Sequence, residues 1–156
     1  MSGAAIGFWT AYVLILALAA IQDFRALRIA NAYAVALLGI ALGQALAVPG
    51  AAPFWHHLAS FAIVFAGGVL LFSLGWLGGG DVKLFAASAA WFGLADLAWF
   101  VAAVLMTGAL LAIMMMGGRL ILSPGKGWRT VKTNRSIPYG VAIATAAIIL
   151  SSRTFV

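Results

Sequence analysis

The chain has 156 residues, of which 65% are hydrophobic and only 8% are charged, and it contains no cysteine. A soluble globular domain carries about 25% charged residues, so this composition excludes an ordinary soluble domain, a disordered chain and a disulfide scaffold. The lack of thiols also excludes a cysteine nucleophile and a cysteine-ligated metal. The net charge of +6 therefore raises the question of which side of a membrane the basic residues lie on.

Apolar segments predict an all-α fold: a polytopic integral membrane bundle of about six transmembrane helices, forming a single domain over residues 1–156. The apolar runs are Ala4–Ile21, Asn31–Val48, Leu58–Leu77, Val82–Gly118 and Pro138–Ser152. The run Val82–Gly118 is too long for one span of about 20 residues. Asp96 and the Phe92-Gly93 break are predicted to divide it into a short fourth helix and a longer fifth.

Basic residues are concentrated on one side of these predicted spans. Six spans place the loops 22–30, 78–83 and 118–137 on the same face, and only Arg153 falls on the other. The bases of the first face are Arg25, Arg28, Lys83, Arg119, Lys126, Arg129, Lys132 and Arg135. The positive-inside rule predicts that this face is cytoplasmic. Contact with anionic headgroups explains the bases, so membrane lipid is an expected partner and nucleic acid is not.

Two of the three acidic residues are predicted to lie at one depth. Asp23 ends the first span and Asp81 begins the fourth, both on the basic face, whereas Asp96 lies across the membrane. Charges at a membrane are costly and often functional. Two neighbouring carboxyl groups can share one proton, so that one activates a water while the other donates to a carbonyl oxygen. Alternatively, each aspartate caps a helix or pairs with a nearby base, and the residues alone leave both interpretations open.

Three consecutive glycines, Gly78-Gly79-Gly80, directly precede Asp81. Glycine permits positive φ and the close approach of a second backbone, such as an extended substrate strand. Non-helical backbone at membrane depth is tolerated where it lines a wet cavity. The triplet therefore favours a site over a simple cap, although a plain turn between helices remains the alternative.

Three motifs together resemble one known family. The segment 78–84, GGGDVKL, matches the GxGDxK element of the type IV prepilin peptidases, which are GxGD membrane aspartic proteases. The segment 23–31, DFRALRIAN, resembles the family's other aspartate motif, and 137–142, IPYGVA, resembles its Pro-Tyr-Gly segment. The motifs occur in the family's order and span most of the chain. Ala30 stands where the family usually has proline.

The resemblance implies a membrane aspartic endopeptidase with Asp23 and Asp81 as its catalytic pair. Such an enzyme removes the short basic leader from prepilins at the cytoplasmic face of the bacterial inner membrane. No cofactor and no metal are expected, because nothing in the sequence demands one. The residues expected to bind substrate or support the pair are Gly78, Gly79, Gly80, Lys83, Arg25, Arg28, Asn31, Pro138, Tyr139 and Gly140. Larger members carry a cysteine-containing region that is associated with N-methylation. This chain resembles the minimal Tad/CpaA-like type, which implies Flp-type pilin or pseudopilin precursors as partners and no methyltransferase activity.

Several residues allow a simpler interpretation. Lys83 either tunes Asp81 or extends to the headgroups, and headgroup contact is favoured. Arg25 and Arg28 either contact an acidic residue of the pilin or anchor the cytoplasmic face. The neighbouring pair His56-His57, next to Trp55, is predicted to be an interfacial belt and not a metal site, because adjacent histidines do not share a helix face.

Two other functions compete with proteolysis. A small proton- or ion-coupled transporter also uses membrane acids, and a glycine triplet resembles a broken transporter helix. A transporter, however, places its acids near the midplane, whereas Asp23 and Asp81 are predicted at one face. A structural subunit of a secretion complex would tolerate loss of either carboxyl group.

Overall fold

The computed structural model describes residues 3–48, 51–122 and 138–153, with the backbone alone for residues 118–122. Within these ranges the chain forms six helices and no strand, which confirms the all-α class. The helices are α1 (Gly3–Ala26), α2 (Asn31–Ala47), α3 (Phe54–Ser73), α4 (Gly79–Ala89), α5 (Gly93–Leu122) and α6 (Tyr139–Arg153). Most of the predicted basic loop at 118–137, from residue 123 onward, lies outside the described residues.

Three of these helices are long and apolar enough to cross a membrane. They are α1, α3 and the Gly93–Gly117 part of α5. The helices α2 and α6 are apolar but shorter. With 11 residues, α4 measures only about 16 Å, roughly half the hydrocarbon thickness of a bilayer. Large apolar side chains such as Phe24, Trp76 and Trp99 face outward, so the molecule is a helical bundle suited to lipid.

The short helix α4 lies inside the bundle, packed against α2, α3 and α6. Every residue from Leu84 to Ala90 is buried. Alanine dominates this stretch, and its small side chain lets neighbouring helices approach α4 from several directions. On the facing side of α3, a Cβ at Gly68 would lie 2.8 Å from Cγ1 of Val82. This close contact fixes the position of the helix whose first turn contains Asp81.

The predicted break near Phe92-Gly93 is confirmed. Gly93, with φ of +60°, begins α5 after a short turn. The two aromatic residues before it are buried: Trp91 stacks on Tyr12 with ring centroids 4.4 Å apart, and Phe92 stacks on Phe100 at 4.6 Å. The turn is therefore part of the core and not an exposed loop.

The bounds predicted for the third span, Leu58–Leu77, were wrong by four residues at each end. The helix begins at Phe54 and ends at Ser73. Gly75 adopts φ of +74°, and its N–H and that of the next residue bond back to carbonyls of the last helical turn, both at 2.9 Å. This pair of hydrogen bonds is a Schellman cap, which ends a helix regardless of the apolar residues that follow.

The prediction that both histidines form an interfacial belt was wrong for His57. Both lie in the first turns of α3, and His57 is only 3% exposed, whereas the neighbouring Trp55 is 60% exposed. The His57 Nδ1 atom lies 2.6 Å from the carbonyl oxygen of Ala90. Because a carbonyl only accepts, Nδ1 carries the proton, and the contact holds the carboxyl end of α4 against α3.

We expect His57→Ala to destabilise the protein by about 1–3 kcal/mol, because the Ala90 carbonyl would lose its side-chain donor in a buried place. His57→Asn places an amide donor near the position of Nδ1 and should lose less. Thermal unfolding in detergent measures both, with His56→Ala at the half-exposed neighbour as the matched control. Equal stability of His57→Ala and the unmodified protein would contradict this role of the contact.

Candidate active site

Asp23 lies in the last turn of α1, which continues beyond the predicted end at Ile21. The residue is buried, with 4% of its surface exposed. Its Oδ2 atom accepts a hydrogen bond from the backbone N–H of Gly140 at 2.8 Å. Gly140 belongs to the first turn of α6, where N–H groups have no acceptor within the helix. The α6 end thus supplies a donor to the carboxyl group and favours its negative charge.

The contact between α1 and α6 requires glycine at position 140. A Cβ there would lie 2.8 Å from both Oδ2 of Asp23 and Cδ1 of Ile29. The neighbouring Tyr139 lies close to α5, where a Cβ at Gly108 would be 2.6 Å from the tyrosine hydroxyl. Pro138, which is buried, directly precedes α6. The Pro-Tyr-Gly segment therefore joins α6 to both α1 and α5.

Asp81 lies in the first turn of α4 and is half-buried. Its Oδ2 atom accepts the N–H of Gly78 at 3.3 Å. A carboxylate at the third helical position commonly reaches back in this way to the residue that precedes the helix. The hydrogen bond between Asp81 and Gly78 thus stabilises the start of α4, and the Asp81 carboxyl group lies at the end of α4 that faces the cavity.

The glycine triplet is mostly helical and does not use the positive φ that glycine permits. Gly78 has extended backbone, with φ of −76° and ψ of 149°, while Gly79 and Gly80 are already helical. The positive φ nearby belongs to Gly75 instead. The value of the triplet is close approach: a Cβ at Gly80 would lie 3.3 Å from Cβ of Ile29, so α4 begins directly against the segment that follows α1.

Both aspartates line one open cavity of about 710 Å³ at the same end of the bundle. Residues 27–29, which follow α1, and residues 75–80, which precede Asp81, form its walls together with Tyr139. The predicted convergence of Asp23 and Asp81 is therefore present in the structure. The glycines on one wall leave backbone accessible from the cavity.

The two carboxyl groups also interact electrostatically. Burial, followed by the negative charge of Asp23, raises the pKa of Asp81 to about 6, while the hydrogen bond from Gly78 acts in the opposite direction. Asp81 lies on α4, outside the three helices that are long enough to span. Around pH 6 the pair can therefore hold a single proton, with Asp81 as its site.

The two predicted arginines differ in position. Both Arg25 and Arg28 are exposed, but Arg28 lines the aspartate cavity. Among the described residues, the lining of that cavity does not include Arg25. A role for Arg25 as an anchor at the membrane face stays a prediction.

Lys83 and Asn31 are directed away from the aspartates. The Lys83 Nζ atom donates to Oδ1 of Asn31 at 3.0 Å, which ties α4 to the start of α2. Both side chains line a separate cavity of about 340 Å³ between α2 and α3. Within the described part of the chain, neither belongs to the lining of the aspartate cavity. Lys83 thus has a structural partner that sequence reasoning did not anticipate.

Sequence reasoning also missed the residues that shape the segment after α1. Leu27 adopts φ of +50°, an uncommon conformation for a side chain of its size, and its N–H donates to the carbonyl oxygen of Asp23 at 2.8 Å. The Gln22 Oε1 atom accepts the N–H of Ala30 at 3.0 Å. No local signal marks Leu27, since glycine or asparagine is the usual residue at such a position.

The fold and the site define an all-α membrane protein in which two carboxyl groups from distant parts of the chain face one cavity. The type IV leader peptidase family model matches residues 4–113, well over half of the chain, and the chain therefore belongs to that family. The matched region includes Asp23 and Asp81 and ends before Pro138. Neither the curated proteins nor the solved structures contained a match.

Gly140→Ala is expected to lower peptidase activity about tenfold to a hundredfold, because the new methyl group must displace Asp23 or Ile29. The fold should survive, since both displaced atoms are ends of side chains. Cleavage of a leader-bearing pilin precursor measures the loss. Gly39→Ala in α2 is the matched control, because a Cβ there meets nothing within 4 Å. Full activity of Gly140→Ala would show that the exact position of Asp23 is unimportant.

Proposed function

We propose that this protein is a membrane aspartic endopeptidase that removes the short basic leader from type IV prepilins. Its substrates are Flp-type pilin or pseudopilin precursors, and it cuts them at the cytoplasmic face of the bacterial inner membrane. Membership of the type IV leader peptidase family supports the peptidase activity. The observation that carries the mechanism is the placement of Asp23 and Asp81 on one cavity, with electrostatic coupling between them.

Hydrolysis begins with Asp23 ionised and Asp81 protonated. Asp23 takes a proton from a water in the cavity, and the water oxygen attacks the scissile carbonyl carbon. Asp81 donates its proton to the carbonyl oxygen, which gives a neutral tetrahedral diol. The raised pKa of Asp81 suits this role, because it keeps a proton available at a pH where an ordinary aspartate has lost it.

The second half of the reaction reverses both proton transfers. Asp23 gives its proton to the leaving nitrogen while the carbon–nitrogen bond breaks, and Asp81 takes a proton from a diol hydroxyl. The products are a carboxylic acid on the leader and a free amine on the mature pilin. Both aspartates return to their starting states, so the cycle consumes one water and needs no covalent intermediate.

The geometry of the cavity suits an extended peptide. Gly78 has extended backbone on the wall beside Asp81. Because glycine has no side chain, a second extended strand can approach this backbone closely. The cavity is open at the end of the bundle, where a leader can enter from the aqueous side. The hydrophobic helix of the pilin would remain in the lipid beside the bundle.

The basic residues support a cytoplasmic site. Among the described residues, Arg25, Arg28 and Lys83 lie at the same end of the bundle as the aspartates, whereas Arg153 ends α6 at the opposite end. The positive-inside rule therefore supports a cytoplasmic location for the aspartate end, the side on which prepilin leaders would be cut. Resemblance to the minimal Tad/CpaA-like type and the lack of cysteine favour Flp-type substrates and cleavage without methylation.

The alternative of an ion-coupled transporter has less support. Its acids would lie near the middle of the membrane, on a path between both sides. Asp23 instead ends the spanning helix α1, and Asp81 begins α4, so both lie at one end of the bundle. Replacement of the aspartates separates these functions: a peptidase loses precursor cleavage, whereas a transporter loses ion flux.

Replacing either aspartate with asparagine should reduce cleavage of a co-expressed Flp-type precursor by about a hundredfold or more, since asparagine cannot exchange the required proton. The size shift of the precursor measures cleavage for Asp23→Asn and Asp81→Asn. Thr10→Ala is the control on α1, because this exposed hydroxyl bonds only to its own helix at Ile6. Efficient cleavage by both asparagine variants would refute the aspartyl mechanism.

The catalytic efficiency should decline as the pH rises through about 6, because Asp81 must be protonated and its pKa is raised to that value. Above this point the expected fall is about tenfold per pH unit, and a second decline is expected in acid, when Asp23 also becomes protonated. The kcat/KM of the reconstituted enzyme on a leader-bearing peptide measures this profile. An efficiency that keeps rising into the alkaline range would contradict Asp81 as the proton donor.

A further inference from the structure

A second feature lies at the opposite end of the bundle from the aspartate pair. A groove of about 760 Å³ runs between α5 and α6, which are antiparallel neighbours. Asp96 near the start of α5 and Arg153 at the end of α6 both line it, and both are exposed. Within the described residues neither takes part in an ion pair. The groove thus presents one negative and one positive group that remain available to a ligand.

The rest of the groove is apolar and lies on the lipid-facing surface. Trp99 and Met106 are each 72% exposed, and Ile149 is 55% exposed. Alanine residues, including Ala102, leave space between the larger side chains. The hydroxyl of Thr107 is satisfied by carbonyls of α5 and α6, so it adds no polar group that needs a partner.

The length of the groove matches one leaflet of a membrane. From Asp96 to Met106 the helix rises about 15 Å, which is half of a hydrocarbon core of about 30 Å. The charges therefore lie at the level of the headgroups when the apolar part lies among the acyl chains. Trp99 is close to the charged end, as expected for an aromatic residue at the membrane interface.

We propose that this groove binds one phospholipid with a primary-amine headgroup, such as phosphatidylethanolamine. The lipid ammonium donates to the carboxylate of Asp96, the phosphate accepts from the guanidinium of Arg153, and one acyl chain lies along α5 and α6. A zwitterion fits because it complements both charges at once. An anionic headgroup without an amine leaves Asp96 unpaired, and a choline headgroup has no N–H to donate.

Native mass spectrometry of the full chain, released from nanodiscs of mixed lipids, tests this proposal. The unmodified protein should retain phosphatidylethanolamine over phosphatidylglycerol and phosphatidylcholine. Asp96→Asn should reduce that preference about tenfold, the size expected for one lost charged hydrogen bond. Arg153→Gln should weaken retention of all three lipids, because each carries the phosphate.

A steric pair of variants tests the groove separately from its charges. Ala102→Trp fills the groove and should remove the retained lipid, while Ala98→Trp, at an exposed position outside the lining, should not. Equal retention of the three lipids by the unmodified protein would overturn the proposal. So would a dimer in place of a lipid adduct, because a second copy would then occupy this face. The readout is independent of peptidase activity.

Discussion

The hydrogen bond from the Gly140 amide to Asp23 is the contact on which the candidate site depends. A buried carboxyl group needs a donor, and the first turn of α6 provides one from the far end of the chain. The same contact brings Tyr139 to the cavity and leaves no room for a side chain at position 140. This one hydrogen bond therefore both positions α6 against α1 and determines the surroundings of the Asp23 carboxyl group.

The other half of the site depends on the burial of α4. Its carboxyl end is held by two donors, because Tyr12 bonds to the carbonyl of Ser88 at 3.0 Å and His57 contacts that of Ala90. Only the first turn, with Asp81, is open to the cavity. One aspartate is therefore buried and bonded to another helix, while its partner is half-buried at an open helix end. Burial and the negative charge of Asp23 raise the pKa of Asp81. Different surroundings of this kind can make two identical side chains suited to different roles in proton transfer.

Sequence reasoning located the two aspartates because charges are rare in this chain and costly in a membrane, so each one required an explanation. It also located the break at Gly93. It failed at the end of α3, because Gly75 is a single residue within an apolar run and its positive φ is not encoded by periodicity. Of the two properties expected of the glycine triplet, close approach to another backbone is present, whereas positive φ is not, because α4 begins on these glycines. The burial of His57 depends on the distant α4 terminus, which no local pattern reveals.

The departure of this chain from the family motif at position 30 has a structural compensation. Ala30 adopts φ of −69°, close to the value that proline would impose, so the path into α2 is kept. Losing the proline costs about 0.4–1 kcal/mol through the greater freedom of the unfolded chain. Alanine, however, has an N–H that proline lacks, and Gln22 accepts it. Such a bond contributes about 0.5–1.5 kcal/mol, enough to offset that loss and to hold the segment that forms the cavity wall beside Asp23.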